Sequence, residues 1–330
     1  MELINQFEKS ADYAALDVAD AELSAAMRSD PDYLGAIFYS GIVKDLSGRA
    51  ADASAFFERI AIETNDDRVR AEAFYNLGVA FYHQYHKPEL LKAQQYFQRA
   101  VDLSPNHTLR LLAQANIAQA LAMQMHPSAE ELSSLGIQES AVPIKQTIQA
   151  AFNSSLSTSS AVLKELENVS RSTNEALWKK VEATAHNALG MAYMYSTDYL
   201  VNDPQVISDT LREAISHFVL ASDTLPKDWA VACNIASAHL RFFARVPGAT
   251  KRVEFEAAKN QLEMVLTVLR PRYGFAYYEL GRLFRCAGKF DDAAKAFTQS
   301  LAIESRYRDV SDRRIHREQE LTRFGDVSFP

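Results

Sequence analysis

Cysteine is nearly missing from this chain: 330 residues hold two, Cys233 and Cys286, with no Cys-x-x-Cys spacing. Neither a disulfide framework nor a zinc site is indicated, and both are read as buried or half-buried small side chains. Glycine, at 11, and proline, at 10, are scarce and mostly punctuate turns, which suits helices joined by short connections. Strand-like alternation bounded by turn residues is not evident. No apolar run approaches the ~18–20 residues needed to cross a bilayer. The start, Met1-Glu-Leu-Ile-Asn-Gln-Phe-Glu8, lacks the basic-then-apolar order of a secretory signal. A cytoplasmic protein that does not enter the membrane is expected. Nor is there a basic excess: 35 Lys plus Arg against 42 Asp plus Glu give a net charge of -7. That balance makes nucleic acid an unlikely partner, because sequence-independent binding depends on cationic residues meeting phosphates.

Chemistry-bearing motifs are missing too. No Gly-x4-Gly-Lys-Ser/Thr, Gly-x-Gly-x-x-Gly or Gly-x-Ser-x-Gly occurs, so nucleotide, dinucleotide and hydrolase readings have no motif to stand on. His83-Gln-Tyr-His86 spaces two imidazoles three apart, but no His-Glu-x-x-His companion stands nearby, and solvent-facing histidines explain it as well. His217 and His239 read as structural. No catalytic residue, metal or cofactor is expected, and the chain is read as a non-enzyme.

What is present is a repeated grammar. Tyr277-x-x-Leu280-Gly281-x-x-Phe284, then Gly288, then Ala293-x-x-x-Phe297-x-x-Ser300-Leu301 is its cleanest copy. Phe74 to Phe81 with Ala93, Phe97, Ala100 and Pro105 is another, and Leu189-Gly190-x-x-Tyr193 with Ala214, Phe218, Ala221 and Pro226 a third. Ile37, Gly41, Gly48, Ala53, Phe57 and Ile60 give a good match near the start, after a weak first unit with Ala19, Leu23, Ala26 and Pro31. Weaker units hold Leu111, Ala115, Ala118 and Leu121, and Ala232, Ile235, Ala236, Ala258, Leu262 and Val265. Small residues belong where two antiparallel helices come closest, with aromatic ones filling the space around the crossing.

These spacings resemble the tetratricopeptide repeat, a 34-residue helix pair. The resemblance implies an all-α, right-handed superhelical solenoid of about seven helix-turn-helix repeats. Residues 1–125 and 172–305 read as two runs of repeats, 126–171 as an atypical helical insertion, and 306–330 as a capping helix and tail. The cap would have Ile315 and Leu321 on one side and cover an exposed hydrophobic end. Within the insertion, Ser128-Ala-Glu-Glu131 reads as a short capped helix. Ile144, Ile148, Phe152, Leu156, Leu163, Leu166 and Val169 predict one long helix despite the serines of 153–160, with a flexible linker as the alternative. Ser172-x-x-Glu175 predicts a capping box, and residues 196–209 a second insertion.

The resemblance also implies that the first helices of the repeats line a concave groove. At or near its inward positions stand Asn76, Asn116, Asn187 and Asn234, accompanied by Tyr75, Tyr82, His83, Met191, Met194, Tyr195 and Arg241. A carboxamide both donates and accepts, so a series of them suits the unpaired backbone groups of an extended peptide. Bracing of neighbouring helices remains the alternative for these amides. Arg282 and Arg285 could receive a carboxylate, or simply be solvated beside Glu279. The lysine and asparagine positions with which such proteins clamp a chaperone's acidic end are Phe38, Tyr39 and Ile42 here, which disfavours that ligand. The expected partner is a peptide or helix of another protein, held by a scaffold or adaptor. The other reading is a receptor for a short signalling peptide or small ligand that regulates a second partner.

Overall fold

The computed structural model describes residues 2–10, 13–83, 87–125, 141–171, 174–248, 250–271, 273–303 and 312–329. Among them are fifteen α-helices and no strand. They pair as α1 (Glu2–Ser10) with α2 (Tyr13–Ser29), α3 (Leu34–Leu46) with α4 (Ala50–Glu63), α5 (Asp67–Tyr82) with α6 (Lys87–Leu103), and α7 (His107–Gln124) with α8 (Ala141–Leu166). The pairs continue as α9 (Glu175–Tyr199) with α10 (Pro204–Thr224), α11 (Trp229–Arg245) with α12 (Lys251–Met264), and α13 (Gly274–Cys286) with α14 (Phe290–Ala302); α15 (Asp312–Arg323) follows. Each helix packs mainly on its pair mate and on the next pair, which makes an all-α solenoid.

Local chemistry starts and stops these helices. The side chains of Asp66, Asn106, Asn174, Asp203 and Asp228 accept from the first free N–H groups of α5, α7, α9, α10 and α11. At the other end, Gly48 (φ 70°) and Gly288 (φ 72°) close α3 and α13 with the same left-handed turn, a conformation that side chains disfavour.

One contact recurs through the array. A Cβ placed on Gly41 would lie 2.7 Å from the Phe57 ring, on Gly78 2.5 Å from Phe97, on Gly190 2.6 Å from Phe218, and on Gly281 2.5 Å from Phe297. The four phenylalanines are buried, so each ring lies flush on its glycine's helix and fixes how near the two helices come. The sixth unit solves the same problem with Ala236 and the smaller Leu262, both fully buried.

Three sequence expectations change shape. Ala141–Leu166 of the insertion is one long helix, as its periodicity predicts, but this α8 is the outer mate of α7 and also packs on α9. Its serines are the reason it fits: Ser155 and Ser159 are fully buried, and Ser155 Oγ donates to the Ala118 carbonyl at 2.9 Å. The reading of residues 128–131 as a short helix lies outside the described residues. The second insertion, 196–209, is mostly helical, because α9 runs on to Tyr199 and α10 starts at Pro204. The cap of α9 is Asn174, whose Oδ1 accepts from Leu177 N at 3.0 Å, so Glu175 is the first helical residue and cannot close a capping box.

The curve is tight enough for distant units to meet. After α12 a π-helical turn, Val265–Leu269, delivers Arg270 against the rings of Trp229 and Tyr273. Its Nη2 donates to the hydroxyl of Tyr13 at 3.2 Å, across 257 positions of chain. At the far end α15 covers the last pair, with Ile315 fully buried and Leu321 half-buried.

Candidate functional site

The first helices of successive pairs, α3, α5, α7, α9, α11 and α13, are linked each to the next by side-chain bonds, and the face they share is called the inner wall. Asn116 on α7 is 9% exposed; its Nδ2 donates to the Leu112 carbonyl at 2.9 Å and to the Tyr75 hydroxyl on α5 at 3.4 Å. Asn187 on α9 is 6% exposed, and its Oδ1 accepts from Asn234 Nδ2 on α11 at 2.9 Å. The expected open row of four amides is therefore not formed. In so tight a curve, side chains on adjacent first helices are near enough to pair, and three of the four amides, Asn116, Asn187 and Asn234, take part in bonds between first helices.

The rest of the expected set divides in the same way. Tyr75, Met191 and Met194 are buried, and Tyr75 packs against Phe97. Tyr82 and Tyr195 are half-buried and electrostatic neighbours, although they stand on α5 and α9; burial, and then the second phenol, push the Tyr82 hydroxyl up. Tyr195 donates to Met123 Sδ at 3.6 Å. His83 is exposed and its Nδ1 lies 2.9 Å from both Asp45 carboxylate oxygens on α3. Half-buried Asn76 donates once, to the Glu72 carbonyl of its own helix at 2.8 Å.

The arginines each have a carboxylate partner on the chain itself. Arg241, 4% exposed, and Arg245 both grip Asp198, at 2.9 and 3.1 Å. Arg282 pairs with Glu279 at 2.9 Å, and Ser237 Oγ on α11 donates to the same carboxylate at 3.0 Å. Arg285, 0% exposed, donates from Nε to Glu318 on α15 at 2.8 Å. Burial alone would raise the Glu279 carboxyl, but the charges of Arg282 and Arg241 and the hydrogen bonds of Arg282 and Ser237 hold it below the ordinary range. Sequence reasoning missed Asp198 and Glu318 and took Glu279 for a solvated neighbour. The only signal was the spacing of Arg241 with Arg245, and of Glu279 with Arg282, on single helix faces.

A second polar cluster lies between α9 and α10. The Nδ1 atoms of His186 and His217 are 3.1 Å apart, and Tyr193 stacks on His217. Burial first, then the charge of the other ring, brings His186 down to about 4. A histidine held neutral in the fold but protonated near pH 6.5 when unfolded gives stability that is complete above 6.5 and lost as pH falls towards 4. Going from pH 7 to pH 5 should therefore cost the wild type about 1 kcal/mol more than His186→Gln, a figure reduced for the pair's partial exposure. Urea unfolding at the two pH values measures it, and equal pH slopes would refute it.

Among the described residues no three His, Cys, Asp or Glu side chains gather as they would around a metal ion, and no helix is long and apolar enough to cross a membrane. A shallow depression of ≈ 340 Å³ between α7 and α8, lined by Gln114, Ser157, Thr158, Ala161, Val162 and Glu165, pairs no nucleophile with a base.

No family model matches the sequence, and none of the curated proteins does. Solved structures do match. A tetratricopeptide repeat protein from Parabacteroides merdae is similar over 98% of each chain, with 14% identity and a TM-score of 0.50. A thermophilic protein of the same repeat class from Thermus thermophilus covers 77% of this chain and 99% of its own, with 13% identity and a TM-score of 0.49. With the seven helix pairs and the repeated glycine–phenylalanine contact, the first of these likenesses gives the chain its place: it has the tetratricopeptide-repeat fold.

Proposed function

We propose that the protein is a non-catalytic scaffold that holds a peptide segment or helix of another protein against its inner wall, between α5 and α11. The observation that supports this most is unspent capacity. Asn76 and Asn234 each use one N–H on the chain itself, and among the described residues nothing donates to their carboxamide oxygens. An amide with a free acceptor and a free donor suits an extended backbone. The half-buried rings of Tyr82 and Tyr195 and the exposed imidazole of His83 lie on the same wall, and such rings add contact area at little conformational cost. A cytoplasmic setting, as expected from the sequence, is part of this reading.

A photo-reactive benzoylphenylalanine at position 83, compared with one at Val253, tests it. Val253 is 66% exposed on the outer helix α12. In cells, crosslinks to a protein should form from position 83 and not from 253, and Asn76→Ala with Asn234→Ala should lower their yield at least tenfold. Equal crosslinking from both positions, or adducts to nucleic acid alone, would show that the inner wall is not a protein-docking surface.

A further inference from the structure

The segment after α15 turns back into the inner wall. Gly325, at φ 67°, ends the helix, with its N–H on the Thr322 carbonyl and that of Asp326 on the Leu321 carbonyl. From there the chain carries no regular secondary structure, and Ser328 N–H donates to Asp326 Oδ1 at 2.7 Å. Arg285 Nη1 donates to the backbone carbonyls of Asp326 at 2.7 Å and Ser328 at 2.8 Å. Phe329 lies against two guanidiniums, Arg282 at 4.6 Å and Arg241 at 5.6 Å from its ring centre. Val327, between the two gripped carbonyls, is 52% exposed. This alternation, with carbonyls held, one side chain out and an aromatic anchor in, is how an extended peptide is recognised, not how a core is packed.

The receiving surface has more capacity than the segment uses. Among the described residues Arg241, Arg245, Arg282 and Arg285 form ion pairs with three carboxylates, Asp198, Glu279 and Glu318. Arg285 Nη2 is buried with no acceptor among the described residues. A fully buried guanidinium that holds a peptide segment through one N–H group and leaves another without an acceptor is expensive to keep for structure alone. We propose that Arg241, Arg282 and Arg285 form a peptide-binding site that residues 325–329 occupy in cis, and that its exchangeable ligand is an extended segment with a carboxylate three residues before an aromatic ring. Tethering places the chain's own segment at an effective concentration on the order of mM, which closes the site to weak ligands and leaves it open to stronger ones. The site shares α11 with the wall between α5 and α11, since Arg241 lies over the Tyr195 ring, but it grips the segment mainly through Arg282 and Arg285 on α13, so the peptide titration and the crosslinking from position 83 can fail independently.

A fluorescein-labelled peptide, Gly-Asp-Val-Ser-Phe-Pro, titrated by anisotropy tests the proposal. A chain ending at Phe324 should bind it at least tenfold more tightly than the full chain does, and the same peptide with alanine for phenylalanine should not bind. A shortened chain that keeps its helical circular dichroism yet binds no better than the full chain would overturn the idea. If shortening unfolds the array, full-length Phe329→Ala takes its place: tighter peptide binding than wild type supports exchange, and unchanged binding refutes it.

Discussion

Phe218→Ala is expected to lower the unfolding free energy by about 3–5 kcal/mol, the range for emptying a buried phenylalanine site. The ring is fully buried on Gly190, where the helices of the fifth pair meet. The reciprocal change should also hurt. A methyl at Gly190 would sit 2.6 Å from the ring and force the pair apart, so Gly190→Ala should cost about 1–3 kcal/mol. The two together should cost less than their sum, because the methyl then enters the space the ring has left. The sixth unit, with Ala236 and Leu262, is already built that way. Chemical denaturation of the two single variants and the double gives the coupling. Additive costs would mean that the ring and the glycine do not set each other's position.

Asp198→Ala is expected to cost about 3–5 kcal/mol, because it strands a buried cation. Arg241 would keep no ion pair: its remaining hydrogen bonds go to Met194 Sδ at 3.6 Å and the Ser237 carbonyl at 3.3 Å, beside the rings of Tyr195 and Phe329, with the guanidinium of Arg245 close by and of like charge. Arg245 is 21% exposed and can swing towards water, whereas Arg241 cannot. Adding Arg241→Leu should therefore recover much of the loss, since an apolar side chain leaves no charge to satisfy. Unfolding curves for the single and double variants decide the matter. A single variant within about 1 kcal/mol of wild type would show that water reaches Arg241 and that the pair is not buried in solution.

The amide row illustrates what one sequence could reveal. The positions of Asn76, Asn116, Asn187 and Asn234 on successive first helices followed from the repeat frame. Their partners did not, because a hydrogen bond such as that between Asn234 and Asn187 spans 47 positions and depends on the angle between units. Asp198 was hidden for a related reason. It stood in what read as an insertion, and only the continued helix of α9 carries it to Arg241. The buried serines of α8 looked like poor helix formers, and their value lies in how near they let α7 come.

The repeating small and aromatic residues by themselves determined the helix pairs, their order and where each pair crosses, because those features depend on neighbours within one or two turns and one hairpin. The tertiary structure alone decided how tightly the array curls, which inward side chains satisfy one another, and where residues 325–329 come to rest. Curvature sums small rotations between units, each set by packing of residues far apart in the chain, and no local pattern records that sum.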